Sequence, residues 1–126
     1  MKRVVFAGVL LVFLIGFNLF CLKTVTEIKD GVFERIDFLK YTIKTEDSEK
    51  IASECEKFTE YWLSRQHILC RIVRHELLDE TAIAVSRFSS LAQYGEYGEL
   101  SAEADRCRIL MEEIWDSELP LLRNIL

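Results

Sequence analysis

The apolar positions of this chain change their period once. From Val4 to Leu22 they run without a charge, VVFAGVLLVFLIGFNLFCL, nineteen residues with a single amide at Asn18. At about 1.5 Å per residue a helix of this length covers roughly 28 Å, the hydrocarbon thickness of a bilayer. Residues 1–22 are therefore expected to form a transmembrane anchor. Beyond Leu22 the apolar residues recur at Val25, Ile28, Val32, Ile36, Leu39 and Ile43, steps of three and four that average 3.6 and define an amphipathic, membrane-proximal helix over 23–44. Gly31 weakens this helix locally without stopping it.

Three further stripes follow. After the polar stretch Lys44 to Glu49, with Thr45 or Asp47 suited to an N-cap, Ile51, Cys55, Phe58, Trp62, Leu69 and Ile72 or Val73 predict a long helix from about 47 to 74. The period slips around His75 to Glu80. Leu78, Ala82, Val85, Phe88 or Ser89, and Ala92 then predict a third helix that ends near Gly95, with Gly95 and Gly98 bracketing a turn. Leu100, Ala104, Cys107, Met111 and Ile114 predict a fourth, which Pro120 is expected to end. The fold class is thus all-α: an N-terminal transmembrane helix followed, over residues 23–126, by an antiparallel bundle of about four helices.

Charge sharpens the division. Residues 23–126 hold 14 Lys and Arg against 21 Asp and Glu, a formal −7, so the bundle lacks the basic face that nucleic-acid phosphates demand. One Pro and five Gly supply too few turns for a sandwich or barrel. Bulky Leu19, Phe20 and Leu22 at the end of the apolar run do not make a small-x-small cleavage site, which favours an anchor over a removable leader. Lys23, Lys29, Arg35 and Lys40 after the span outnumber Lys2 and Arg3 before it. A three-residue basic N-terminus is nevertheless easily retained inside, whereas long domains are translocated largely regardless of charge. The expected location is the cell membrane, single-pass, with a cytoplasmic N-terminus and the C-terminal domain extracytoplasmic. Arg65, Arg71 and Arg74 late in helix two and Glu112, Glu113, Asp116 and Glu118 late in helix four are expected at one end of the bundle, where their charges are complementary.

Candidate chemistry is sparse. His75-Glu76-Leu77-Leu78-Asp79 resembles a zinc-protease H-E-x-x-H with its second histidine replaced, and reads as a polar helix junction. Glu60, Ser64, His67, Arg71 and Arg74 form one polar stripe, the solvent face of an amphipathic helix. No E-x-x-H pair, glycine-rich phosphate loop, G-x-S-x-G or C-x-x-C occurs. Cys55 and Cys107 lie on core stripes as buried thiols, a disulfide between them being the alternative if the domain is extracytoplasmic. No catalytic residue, metal ligand or cofactor is assigned. In the last residues, 117–126, Leu119, Leu122, Ile125 and Leu126 make an apolar tail expected to dock on the bundle or to bind a partner.

The apolar span, Trp62, His75-Glu76 and the closing Asn124-Ile125-Leu126 resemble a family of small bacterial membrane-anchored proteins classed as a domain of unknown function. The resemblance implies a membrane location and a helical fold, and no active site. Leu77-Leu78 stands where that family carries charge, and the four cysteines are outside its pattern. The expectation is a non-enzymatic, membrane-anchored helical domain that binds or scaffolds a protein partner at the membrane surface. One alternative is a metal-binding or hydrolytic enzyme using His67, His75, Glu76 and Asp79. Another is a small accessory subunit whose span packs on a larger membrane protein through Gly16 and Asn18.

Overall fold

The computed structural model describes the backbone of residues 1–125 and the side chains of residues 1–117. The described residues contain five helices and no strand: α1 (Lys2–Lys44), α2 (Ser48–Leu69), α3 (His75–Ser86), α4 (Phe88–Gln93) and α5 (Tyr97–Ile125). The apolar run and the amphipathic segment that follows it are one element. Nothing between Leu22 and Lys23 breaks backbone hydrogen bonding, so α1 runs unbroken for 43 residues, about 65 Å. Its N-terminal half projects clear of the rest, and the most apolar window is only 6% buried. Its C-terminal half joins the bundle.

Helix α1 packs on α2 and α5, and α3 and α4 pack on the same two helices from the opposite side. The cross-section is a square with α2 and α5 on one diagonal. The periodic stripes become its core, except that Ile43 and Ala82 are only half-buried. Val25, Ile28, Val32, Ile36 and Leu39 meet Ile51, Cys55, Phe58, Trp62 and Leu69 of α2, Leu78 and Val85 of α3, Phe88 of α4, and Leu100, Ala104, Cys107, Met111 and Ile114 of α5. Phe58 and Phe88 stack tilted with centroids 5.1 Å apart. Burying each such side chain contributes about 1.5–3 kcal/mol, and the absence of charge on the stripes is what permits it.

Four boundaries differ from expectation. Helix α2 stops at Leu69 rather than near 74. Ile72 N–H and Val73 N–H both return to the Leu69 carbonyl, and this tight turn lets Val73 and Leu78 reach the same core. The third helix is two, broken at Arg87, where Ser86 Oγ donates to the Ile83 carbonyl and competes with the helical ladder. Only Gly95 serves the following turn. Its φ of 72° suits glycine, and Gly95 N–H and Glu96 N–H donate to the Ala92 and Leu91 carbonyls, closing α4, while Gly98 lies inside α5. Pro120 does not end α5, which continues to Ile125: proline's fixed φ is helical, and it withdraws a single donor. At the start of α2, Asp47 is the N-cap, its Oδ1 accepting from Glu49 N–H at 3.2 Å and Lys50 N–H at 3.3 Å.

The charges of α2 and α5 do not pair. Among the described residues no ion pair joins Arg65, Arg71 or Arg74 to Glu112, Glu113 or Asp116: Arg65 is on the helix diagonal to α5, and Arg71 and Arg74 lie past the end of α2, in the connection to α3. The cross-helix pairs tie adjacent corners instead: Lys40 with Asp105 at 2.7 Å, Arg108 with Asp37, and Arg87 with Glu103 at 2.5 Å and Glu99 at 3.5 Å.

Candidate functional site

The residues singled out as chemical candidates are not brought together. His67 lies in the last turn of α2, while His75, Glu76 and Asp79 open α3, and all four are exposed. Among the described residues no group of three or more His, Cys, Asp or Glu is placed to hold a metal ion. The stripe Glu60, Ser64, His67, Arg71 and Arg74 faces solvent, as its period requires. Asn18 Nδ2 donates to the Leu14 carbonyl of its own helix at 2.9 Å, and a side chain at Gly16 would meet open space. The side chains of Leu119, Leu122, Ile125 and Leu126 lie outside the described residues.

Cys55 and Cys107 are buried free thiols. Burial is the main reason each pKa is pushed from 9.0 to about 12. The charge of Glu54 adds to the effect at Cys55. At Cys107 Glu103 raises the pKa further and Arg106 partly opposes it. Both thiols are therefore protonated and inert near neutrality.

A concave surface lies between α1 and α2. It is an open groove of about 760 Å³ lined by Gly31, Glu34, Arg35, Phe38, Tyr41 and Tyr61 among others, and Phe38, Glu54 and Lys57 carry it on into a second hollow of about 380 Å³. One floor contact is built on the absence of a side chain. The Tyr61 ring rests against Gly31, where an added Cβ would lie 2.9 Å from Cζ, closer than real contacts allow, and nearer still to Oη. Tyr61 is then held by two guanidinium groups, with Arg35 4.4 Å and Arg65 5.3 Å from its centroid. Phe38 and Tyr41, three residues apart on α1, remain 53% and 67% exposed at the upper edge, against 0% for Ile36 between the helices. Charge around them is mixed, with Glu34, Arg35, Glu54 and Lys57 all at the rim. The groove thus has an edge of two exposed aromatics, a floor fixed by a third and a rim of both signs.

The sequence stripes passed over this groove because they follow what is buried. Phe38 and Tyr41 fall off the core stripe, and a bulky aromatic off-stripe at three-residue spacing was the available signal. Gly31 gave none, since its role depends on a residue of another helix.

On its other flank α1 is tied to α5. Trp115 Nε1 donates to Thr26 Oγ1 at 2.9 Å, Lys29 lies 4.2 Å above the Trp115 ring, and Arg108 lies 4.9 Å from the Phe33 centroid. These contacts make the bundle half of α1 a fixed wall of the groove.

Neither a curated protein nor a solved structure matches the chain. A family model matches residues 19–125, starting within the last residues of the apolar run and taking in every helix of the bundle. On that coverage the chain belongs to the family described as Domain of unknown function (DUF4363).

Proposed function

We propose that this chain is a single-pass membrane protein, N-terminus inside and bundle outside, whose α1–α2 groove docks a segment of a protein partner held at the same membrane. The observation that carries the docking reading is the exposed pair Phe38 and Tyr41 beside a groove whose floor is set by Tyr61 on Gly31. Aromatic side chains supply large contact area at low entropic cost, and Arg35 and Lys57 offer charged contacts at the rim. The anchor reading rests on the apolar half of α1, whose Val4, Phe6, Val12, Phe13 and Phe20 are each at least 64% exposed. Apolar surface that extensive is covered by lipid or by another protein. Gly31 and Phe38 lie nine and sixteen residues beyond Leu22, so the groove would stand about 14–24 Å above the bilayer, within reach of a membrane-bound partner.

A photo-reactive amino acid at Tyr41, irradiated in whole cells before gentle solubilisation, is expected to capture a discrete protein. Phe38→Ser with Tyr41→Ser is expected to abolish its co-purification with the unmodified chain. A partner retained undiminished by the double variant would refute the groove as the docking site. A cysteine at exposed Ser90 on α4, in a Cys70→Ser background, reports orientation: labelling of Ser90→Cys by a membrane-impermeant maleimide in intact cells is expected, and labelling only after lysis would reverse the topology.

A further inference from the structure

The antiparallel register of α1 and α2 decides what sits at the bilayer surface if α1 spans it. Tyr61 lies on Gly31, and Thr24, Glu27 and Ile28 share a cleft with Tyr61, Arg65 and Ile68. Both helices rise about 1.5 Å per residue, so each step along α2 past Tyr61 matches one step back along α1 from Gly31. Leu69 is then level with Lys23, and the connection Cys70 to Arg74 turns at about the level of Leu22, where the uncharged run ends. Lys23, Arg65, Arg71 and Arg74 are exposed at this end. Among the described residues none of the four forms an ion pair within 4.0 Å. Half-buried Ile72 and partly exposed Ile68 lie between the arginines. The chain has no acid between Glu60 and Glu76. Acids nearby are Glu27, level with Arg65, then Glu76, Asp79 and Glu80, which climb away on α3. Among the described side chains, the acids of α5 stand higher. Trp115 on Thr26 and Arg108 on Asp37 place Glu112 and Glu113 about two turns above Leu22 and Asp116 about one.

We infer that the α2–α3 connection is a lipid-binding collar, in which Arg65, Arg71 and Arg74, with Lys23 beside them, hold the phosphates of anionic headgroups in the bilayer that α1 enters. This rests on the membrane-spanning reading of α1. Guanidinium groups bind phosphate oxygens through two parallel N–H donors, and their alkyl stems lie on apolar surface while the heads reach the headgroup layer. Basic residues beside a span are drawn to an anionic leaflet, and the attraction fades within a Debye length. Glu112, Glu113 and Asp116 are placed higher, which lessens the repulsion of an acidic domain where it touches lipid. With α1 entering at one corner and the collar seated beside it, the bundle is held against the membrane at two points, and the direction in which the α1–α2 groove opens is fixed.

Cys70 lies within the collar and is exposed, whereas Cys55 and Cys107 are buried. The full-length chain carrying Cys21→Ser, labelled at Cys70 with an environment-sensitive fluorophore, is placed in nanodiscs of phosphatidylcholine alone or with added phosphatidylglycerol. Quenching by neutral acrylamide is expected to fall several-fold in the anionic discs and to recover in high salt. Arg71→Gln with Arg74→Gln is expected to remove that lipid dependence while circular dichroism is unchanged. Inorganic phosphate added to neutral discs is expected to do nothing. If phosphate reproduces the protection, or if Cys70 ignores lipid charge while the chain stays in its discs, the collar is refuted and the anchor stands. A chain that leaves neutral discs overturns the anchor and the collar together.

Discussion

Gly31→Ala sets two effects of opposite sign against each other at the groove floor. In a helix interior alanine is favoured over glycine by about 0.8–1.0 kcal/mol, and Gly31 is well inside α1. The new Cβ would stand 2.9 Å from Tyr61 Cζ, so the ring must swing off the helix. It then loses Arg35 at 4.4 Å and Arg65 at 5.3 Å, each worth about 0.5–1 kcal/mol at such partly exposed positions, together with part of the burial of the ring. The loss of about 1–2 kcal/mol offsets or exceeds the helical gain, so Gly31→Ala alone is expected to be neutral or to destabilise by up to about 1 kcal/mol. In a Tyr61→Ala background only the gain remains and the same substitution stabilises. Thermal denaturation of the full-length chain in mild detergent, followed by far-ultraviolet circular dichroism, reads the difference. About 1 kcal/mol corresponds to roughly 4–8 °C for a bundle of this size, and the coupling of about 1–2 kcal/mol lies well above the additivity error of distant sites. Equal stabilisation by Gly31→Ala in both backgrounds would refute the packing of Tyr61 on α1.

Glu46 closes α1 with φ 57°, a conformation that costs a side chain about 1 kcal/mol or more, so Glu46→Gly is expected to raise the melting temperature. Asp47→Ala removes the acceptor of Glu49 N–H and Lys50 N–H and is expected to cost about 1 kcal/mol, seen as a lower melting temperature. Thiol-specific alkylation of the folded chain near pH 8 is expected to modify exposed Cys70 and to spare Cys55 and Cys107, whose pKa of about 12 keeps them protonated; prompt modification of either in the folded state contradicts their burial. Because the folded state holds those two protons where an unfolded thiol with pKa 9.0 has lost them, their stabilisation is complete below pH 9 and falls as pH rises toward 12. A melting temperature that declines less steeply over this range in Cys55→Ala with Cys107→Ala would bear that out. Deleting residues 119–126 is expected to lower the melting temperature if the tail docks internally; unchanged stability with loss of a retained partner would make the tail a binding element instead.

The period of the apolar residues was enough to place the core. Every member of the α5 stripe from Leu100 to Ile114 is buried, as are Val25 to Leu39 on α1, because a helix that buries one face leaves that mark in its own sequence whatever it packs against. The uncharged run Val4 to Leu22 carried the extent of the apolar arm in the same way. Helix ends were less legible. The stop at Leu69 and the break at Arg87 both serve to bring Val73, Leu78, Val85 and Phe88 into one core, a requirement set by neighbouring helices. Whether Arg65 meets Glu112 depended on α2 and α5 being diagonal, and that is a property of the assembled square. The groove was the least legible of all. Gly31 and Tyr61 are thirty residues apart and neither belongs to a motif; their contact exists because two antiparallel helices approach at a register that only the packed core decides.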